Sequence, residues 1–414
     1  MERPSIWLML VILLTAILFL REPRLQRVDE GFLRWLLKNS PSRGGIVPLT
    51  VVDVGHGASM QKKQSGNEPR PAGGGAAELS PVELALFLQA ALEFKPTVVG
   101  FETILQWRGR DKEQEQVFLD QAMHVPKLLI AAELTATPDL DAPVVEIPGF
   151  ANVTGRRGGL PEFSGIGRQP DEDVRLISSL GFVNLPPDVA SEIRVPLLFQ
   201  YRGEIIPSFA LQAAMLWMRI TPAEVKIDIG SYIFLPNGKK IPIRDDGTAL
   251  ISPSEIKRVR QLKLNELLLA AQQHENKSGS VSPAGDMQDE IILARTPGDP
   301  QLPPDVFAAT IATIQGNSFV RRVSWIFDCV FILFLVAVSS VVRKFSRIDI
   351  VLEAIALTAA YCLAALAILS RWSLWLPGVL PLSAIWLVAI FCLFAPRRKD
   401  DPDLPAIAPS PPSP

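Results

Sequence analysis

Residues 80–102, SPVELALFLQAALEFKPTVVGFE, predict a helix followed directly by a strand. Residues 80–83 form a capping-box pattern with proline at the first helical position. Apolar residues then recur at helical spacing as far as Pro96, which ends the helix. Residues 97–102 are a short apolar run rich in valine, typical of a buried strand.

The flanking sequence repeats this alternation of helix and strand. Residues 48–54 (PLTVVDV) and 127–132 (KLLIAA) are two further apolar strands, and the charged residues 108–115 begin an amphipathic helix between the second strand and the third. Such alternation predicts βαβ units and hence an α/β domain with a largely parallel sheet. Residues 61–79, rich in glycine, proline and lysine, are expected to be a loop insertion.

The second half of this domain is less regular in sequence. Residues 135–173 contain many glycines and prolines, and we expect them to be less ordered. Asn237-Gly238 lies between two short apolar runs and predicts a hairpin. Further strands and helices are predicted at residues 180–185, 193–200, 208–220, 264–274, 290–294 and 305–315.

Three long apolar runs near the C-terminus predict transmembrane helices at residues 325–342, 350–369 and 374–395. Each is about 20 residues long, the length a helix needs to cross a bilayer core. Asp328 and Glu353 are the charged residues in these runs, and both lie close to a run's end. Residues 1–20 contain a shorter apolar run, which we interpret as an uncleaved signal anchor. A cleaved signal peptide is the alternative.

Basic residues in the short loops predict the orientation in the membrane. Residues 343–347 and 397–399 are strongly basic, which favours the cytoplasmic side. The domain 21–324 is then extracytoplasmic, both termini are cytoplasmic, and the protein is a multi-pass protein of the cell (inner) membrane. Residues 396–414 are acidic and rich in proline, as expected of a disordered cytoplasmic tail.

Composition excludes several classes of function. Acidic and basic residues nearly balance, with a net charge of −2, so there is no electrostatic footprint for nucleic acid. All three cysteines, Cys329, Cys362 and Cys392, fall in the predicted spans, which leaves the soluble domain without a disulfide or a cysteine metal site. The sequence has no motif for phosphate loops, dinucleotides or hydrolase elbows, and we expect no cofactor, no metal and no enzymatic activity.

Two acidic residues are candidates for ligand binding. Asp53 and Glu102 each lie near the end of a predicted strand and could converge as a carboxylate pair at one edge of a parallel sheet. Alternatively, they are solvated or cap helices. His56 follows the first strand, and a hydrolase that uses Asp53, Glu102 and His56 is a further alternative.

Short motifs in a fixed order resemble a known family. They are DEGFLRW at 29–35, VVDV at 51–54, VVGFE at 98–102, LGFVN at 180–184, RVPL at 194–197 and PSFA at 207–210. In order and in membrane layout the chain resembles bacterial sensors with a CHASE domain of the second type, a sensory module associated with cyclases and histidine kinases. The family usually has aspartate where this chain has Glu102.

The resemblance implies a sensor. Because only residues 396–414 follow the last predicted span, we expect the signal to pass along 305–315 and 325–342 to a separate cytoplasmic signalling protein. The expected partners, besides membrane lipid, are a small, largely neutral ligand in a cleft near Asp53 and Glu102, or a protein. An envelope scaffold that holds a partner without sensing a ligand is the alternative function.

Overall fold

The computed structural model describes residues 23–40, 44–54, 80–107, 112–137, 147–186, 193–275, 287–296, 305–324, 326–328, 330–331, 333–335 and 347–394. The predicted anchor (1–20), insertion (61–79) and tail (396–414) lie outside these ranges. The chain divides into two compact units. The helical unit comprises Met1–Phe32, Val323–Ala365 and Leu376–Pro414, and the α/β unit comprises Leu33–Arg322 and Leu366–Trp375.

Strands and helices are numbered in chain order. The helices are α1 (Pro23–Asn39), α2 (Pro81–Leu92), α3 (Lys112–Ala122), α4 (Glu172–Leu176), α5 (Phe209–Met218), α6 (Leu264–Glu275), α7 (Val306–Gly316), α8 (Ile326–Leu335), α9 (Arg347–Trp372) and α10 (Val379–Phe394). The strands are β1 (Leu49–Asp53), β2 (Val98–Phe101), β3 (Leu128–Thr135), β4 (Asn152–Thr154), β5 (Glu162–Phe163), β6 (Gly165–Arg168), β7 (Ser179–Phe182), β8 (Arg194–Pro196), β9 (Leu198–Tyr201), β10 (Glu204–Pro207), β11 (Lys226–Asp228), β12 (Tyr232–Phe234), β13 (Lys240–Pro242), β14 (Thr248–Leu250), β15 (Arg260–Lys263), β16 (Ile291–Arg295), β17 (Arg321–Arg322) and β18 (Leu374–Trp375).

The main sheet of the α/β unit is largely parallel, as predicted. Its strands follow the order β15-β1-β16-β2-β3-β7, and every neighbouring pair in this series is parallel. Strand β6 pairs antiparallel with the end of β3. The predicted α/β class is therefore confirmed, with the late strand β16 inserted between the early strands β1 and β2.

Helices cover both faces of this sheet. Side chains that alternate along the strands belong to two different cores: Val52 packs with α2, α3 and α6, whereas its neighbour Val51 packs with α5 and α7. Because successive side chains of a strand point to opposite faces, α2, α3 and α6 lie on one face and α5 and α7 on the other. Glycines 100 and 181 let α5 approach closely, since a Cβ on Gly181 would lie 2.6 Å from the ring of Phe209.

Helix α7 is buried on all sides. Every residue from Val306 to Gln315 is buried, and the helix is apolar around its whole circumference, as expected of a helix inside a core. The hydroxyls of Thr310 and Thr313 donate to carbonyl oxygens one turn earlier, so these buried polar groups are satisfied within the helix. The only sequence feature that marks α7 as central is this uniform apolarity.

Smaller sheets form a second core beside the main sheet. Their orders are β10-β9-β5, β13-β12-β11-β4 and β14-β8. The predicted hairpin joins β12 to β13, and Gly238 at its turn has a φ of 80°, which glycine adopts without strain. The expectation of little order across 135–173 is wrong, because β4, β5 and β6 lie there. These strands are only two to four residues long, and β4 and β5 pair with distant strands.

One helix of the described chain is long and apolar enough to cross a membrane. It is the 25-residue segment Ile348–Trp372 of α9, with a mean hydropathy of 2.1 over its most apolar window. Helices α8 and α10 are shorter apolar helices. In the region predicted as the last span, α10 begins at Val379, after the short strand β18 and Pro377.

Contacts inside the helical unit join α1 to the start of α10. The carboxylate of Asp29 accepts hydrogen bonds from the backbone N–H groups of Gly378 (3.0 Å) and Val379 (2.8 Å). A carboxylate at this position caps a helix N-terminus and complements its positive end. The hydroxyl of Tyr361 in α9 donates to the carbonyl oxygen of Pro377 at 2.5 Å. These contacts position the turn that precedes α10.

Candidate functional site

The carboxyl ends of β1, β16 and β2 lie side by side at one edge of the main sheet. The chain continues from β1 to α2 and from β2 to α3, both on one face, but from β16 to α7, on the opposite face. In open parallel sheets, ligands bind in the crevice between neighbouring strands whose connections leave for opposite faces. The arrangement therefore marks this edge as the candidate site.

Arg295, the last residue of β16, carries the positive charge of the site. Its Nη2 lies 2.6 Å from Oδ1 of Asp53, the last residue of β1, and its Nε donates to the same oxygen at 2.8 Å. Its Nη1 forms an ion pair with Asp305, which precedes α7 and has a φ of 69°. All three guanidinium nitrogens thus contact carboxylates on neighbouring elements.

Glu102 follows β2 and is buried at the same edge, with 5% of its surface exposed. Its backbone N–H donates to the carbonyl oxygen of Ala294 at 3.2 Å, which fixes it beside β16. Its Oε1 is buried and has no hydrogen-bond partner in the part of the chain that the structure describes. Burial raises the pKa of Glu102 to about 7, while the charge of Arg295 lowers this pKa and that of Asp53 raises it.

The structure brings the two sequence-predicted acids to one edge but keeps β16 between them. Asp53 and Glu102 are therefore about two strand spacings, roughly 10 Å, apart along the sheet. Arg295 separates the predicted carboxylate pair and acts on both members. His56 lies outside the residues that the structure describes.

A family model described as the CHASE2 domain matches residues 8–302. The chain belongs to the CHASE2 domain family. CHASE2 domains are sensory domains. The matched region includes Asp53, Glu102 and Arg295 and ends just before Asp305 and α7. Neither the curated proteins nor the solved structures contain a match to this chain.

Sequence reasoning missed Arg295 and Asp305. A signal for Arg295 was present, since it closes an apolar strand in the same way as Asp53 does. What the sequence lacked was the strand order, which places Arg295 between two acids. Asp305 was assigned only to the start of a helix, whereas the structure shows its carboxylate turned to Arg295 without a side-chain capping bond.

The charges of the cluster around Arg295 do not balance. Asp53, Asp305 and ionised Glu102 supply three negative charges, and Arg295 supplies one positive charge. The hydroxyls of Thr103 and Thr296, which follow β2 and β16, bond to each other at 3.0 Å and bridge the two strand ends. Among the described residues, no group of three or more His, Cys, Asp or Glu is placed to hold a metal ion.

Helix α7 connects this site to the end of the α/β unit that precedes α8. We call its start at Asp305 the site end and its last turn at Gly316 the exit end. At the exit end, Lys239 Nζ donates to the carbonyl oxygen of Gln315 at 2.9 Å, and Gln315 Nε2 donates to that of Pro48 at 3.1 Å. A single buried helix therefore runs between the candidate site and the segment that leads to β17.

Proposed function

We propose that this chain is a membrane-anchored sensor. A small ligand binds at the carboxyl ends of β1, β16 and β2, and α7 passes the resulting change to the membrane helices and on to a separate cytoplasmic signalling protein. The observation that carries this proposal is the position of α7, whose site end contacts Arg295 and whose exit end leads to β17 and α8. A protein bound at the same edge in place of a small ligand is the alternative.

The proposal assigns binding, and no turnover, to this edge. The carboxylate of Asp53 is held by two guanidinium nitrogens at 2.6 and 2.8 Å, so it serves as a charge partner for Arg295.

We also propose four membrane spans, with the α/β unit outside and both termini in the cytoplasm. Pairing between β17 and β18 supports this topology. The backbone N–H of Arg321 donates to the carbonyl oxygen of Ser373 at 2.9 Å, and the guanidinium of Arg322 lies over the ring of Trp375. The loop between α9 and α10 is thus part of the α/β unit, as expected if both lie on the same side of the membrane.

Reporter fusions test the topology. Fusions at Lys38, Ser346, Ser373 and Pro405 are expected to report outside, inside, outside and inside. An inside result at Lys38 or Ser373 would contradict the proposed arrangement, because both residues belong to the α/β unit.

A thermal-shift screen of the full chain in detergent tests ligand sensing. A ligand present at a hundred times its dissociation constant should stabilise the fold by about 2.7 kcal/mol. A hit that stabilises the wild type but not the Asp53→Asn variant supports the proposed site. A hit that stabilises both equally places the ligand elsewhere and contradicts the proposal. The absence of any small-molecule hit favours a protein partner at this edge.

A further inference from the structure

The buried Oε1 of Glu102 requires a hydrogen-bond donor that the described part of the chain does not supply. Buried acceptors without a partner cost about 1–3 kcal/mol and are rare in folded proteins. Arg295 is the cation whose charge acts on Glu102. Its Nε and Nη2 contact Asp53, however, and its Nη1 contacts Asp305. The hydroxyls of Thr103 and Thr296 pair with each other. A ligand bound at this edge would supply the donor that the described residues do not.

The charge of the site specifies the kind of donor. Asp53 and Asp305 share the guanidinium of Arg295, and Glu102 is a third carboxylate nearby, so a bound cation reduces the repulsion between Glu102 and Asp53, whereas an anion increases it. A quaternary ammonium carries charge but no N–H to donate. A neutral amide donates but leaves the charge excess unchanged.

We propose that the CHASE2 site takes a small organic cation with N–H donors, a primary ammonium or a guanidinium, which donates to Glu102 and is attracted by Asp53. This inference rests on the proposed sensor function and replaces the largely neutral ligand expected from the sequence. It depends on three observations. The edge lies where the connections that follow β1 and β16 leave for opposite faces of the sheet, Glu102 is buried there, and negative charges exceed positive charges in the cluster around Arg295.

A consequence is that binding and protonation of Glu102 exclude each other. The cation binds the ionised carboxylate, so binding releases a proton at pH values where Glu102 is partly protonated. With a pKa of about 7, the ionised fraction of Glu102 increases roughly tenfold between pH 6 and pH 8. The apparent affinity for the cation should increase by the same factor.

Calorimetric titration of the full chain in nanodiscs tests this ligand class. Ethylammonium and methylguanidinium are the cationic probes, tetramethylammonium is the probe without N–H donors, and acetamide is the neutral probe. Wild type is expected to bind at least one of the two donor cations about tenfold more tightly at pH 8 than at pH 6. Binding is also expected to release a proton, which is measured from the dependence of the observed binding enthalpy on the ionisation enthalpy of the buffer. Tetramethylammonium and acetamide are expected to bind at least tenfold more weakly.

Two variants and a control complete the test. Glu102→Gln is expected to lose the pH dependence and at least tenfold in affinity, whereas Glu93→Gln, which removes an exposed carboxylate beyond the end of α2, is expected to behave as wild type. If Glu102→Gln does not fold, Asp53→Asn provides the second variant. It removes one negative charge and releases Arg295 towards Glu102, so cation affinity should again fall.

The outcomes separate this inference from the sensor function. Equal affinity for acetamide, unchanged binding by Glu102→Gln, or no binding of either donor cation at pH 8 would overturn the ligand class. If acetamide binds and Asp53→Asn abolishes its binding, the proposal of a cationic ligand is wrong but the sensor function remains. Thermal-shift hits unaffected by Asp53→Asn would instead count against the sensor site itself.

Discussion

The two ends of α7 carry ion clusters of different composition. At the exit end, Arg258 pairs with one acid, Glu255, at 2.6 Å, and both side chains are almost fully buried, with 12% and 5% exposed. At the site end, one guanidinium is shared by Asp53 and Asp305, and the buried Glu102 adds a third acid. The Arg258–Glu255 pair is balanced in charge and Lys239 adds a further positive charge at the exit end, whereas the site cluster has an excess of negative charge.

The groups around Arg258 also distinguish the exit end of α7 from the site end. The Nε of Arg258 donates to the carbonyl oxygen of Gly45 at 3.0 Å, and a Cβ on Gly316 would lie 2.7 Å from Nη1. The guanidinium thus lies against the C-terminus of α7, where a cation is stabilised by the helix dipole. Gln315 Oε1 has no partner among the residues that the structure describes, but it is a neutral amide oxygen and less costly to bury than a carboxylate. The difference indicates an anchor at the exit end and a binding function at the site end.

Breaking the exit pair should have the largest effect. Arg258→Met leaves Glu255 buried without its cation, and the free energy of unfolding of the full chain should fall by about 3–5 kcal/mol. Chemical denaturation in detergent micelles, followed by tryptophan fluorescence, measures this loss. The matched double variant, with Glu255→Met added, should recover most of the stability. A loss below about 1 kcal/mol in the single variant would show that this pair is no anchor.

Stability should depend on pH through Glu102. The folded-state pKa of this acid, about 7, lies above the ordinary value of 4.5, so the native state binds the proton more tightly than the unfolded state does. This contribution is fully present below pH 4.5 and is lost as the pH rises through about 7, by about 3 kcal/mol in total. Relative to wild type, Glu102→Gln should therefore become more stable as pH increases from 5 to 8. A constant difference between the two proteins across this range would contradict the burial of the acid.

Lys239 caps the C-terminus of α7 at the exit end, and removing this cap should have the smallest effect on stability. Lys239→Met removes one hydrogen bond to the carbonyl oxygen of Gln315, which is worth about 1 kcal/mol. Lys226→Met, which removes an exposed lysine from β11, is the control and should change stability by less than about 0.5 kcal/mol. Equal losses in the two variants would show that the cap does not stabilise α7.

Local periodicity was sufficient to predict the early part of the fold. Strands β1, β2 and β3 are continuous apolar runs, and α2 begins at the proline that the capping pattern indicates, although Ser80 makes no side-chain capping bond. Strands β4 and β5 could not be predicted in the same way. They are two or three residues long and are stabilised by pairing with β11 and β9, far along the chain.

The candidate site was predictable only in part, for a related reason. Acids at the ends of apolar strands were visible, and a parallel sheet brings strand ends to one edge. The strand order was not visible, because β16 enters between β1 and β2 after a long excursion of the chain. Arg295 meets Asp53 across 242 residues of sequence, and no local pattern encodes such a contact.

Hydrogen–deuterium exchange on the full chain in nanodiscs tests the central claim, that α7 couples the site to the membrane-connecting segment. Asp305→Asn removes one ion pair of Arg295 while keeping a residue that tolerates the left-handed backbone of position 305. If the buried helix transmits this change, amides at 306–309 and at 317–322 should both exchange faster than in wild type. The control variant Glu93→Gln should leave exchange in both segments unchanged. Faster exchange confined to 306–309, with 317–322 as in wild type, would contradict the account.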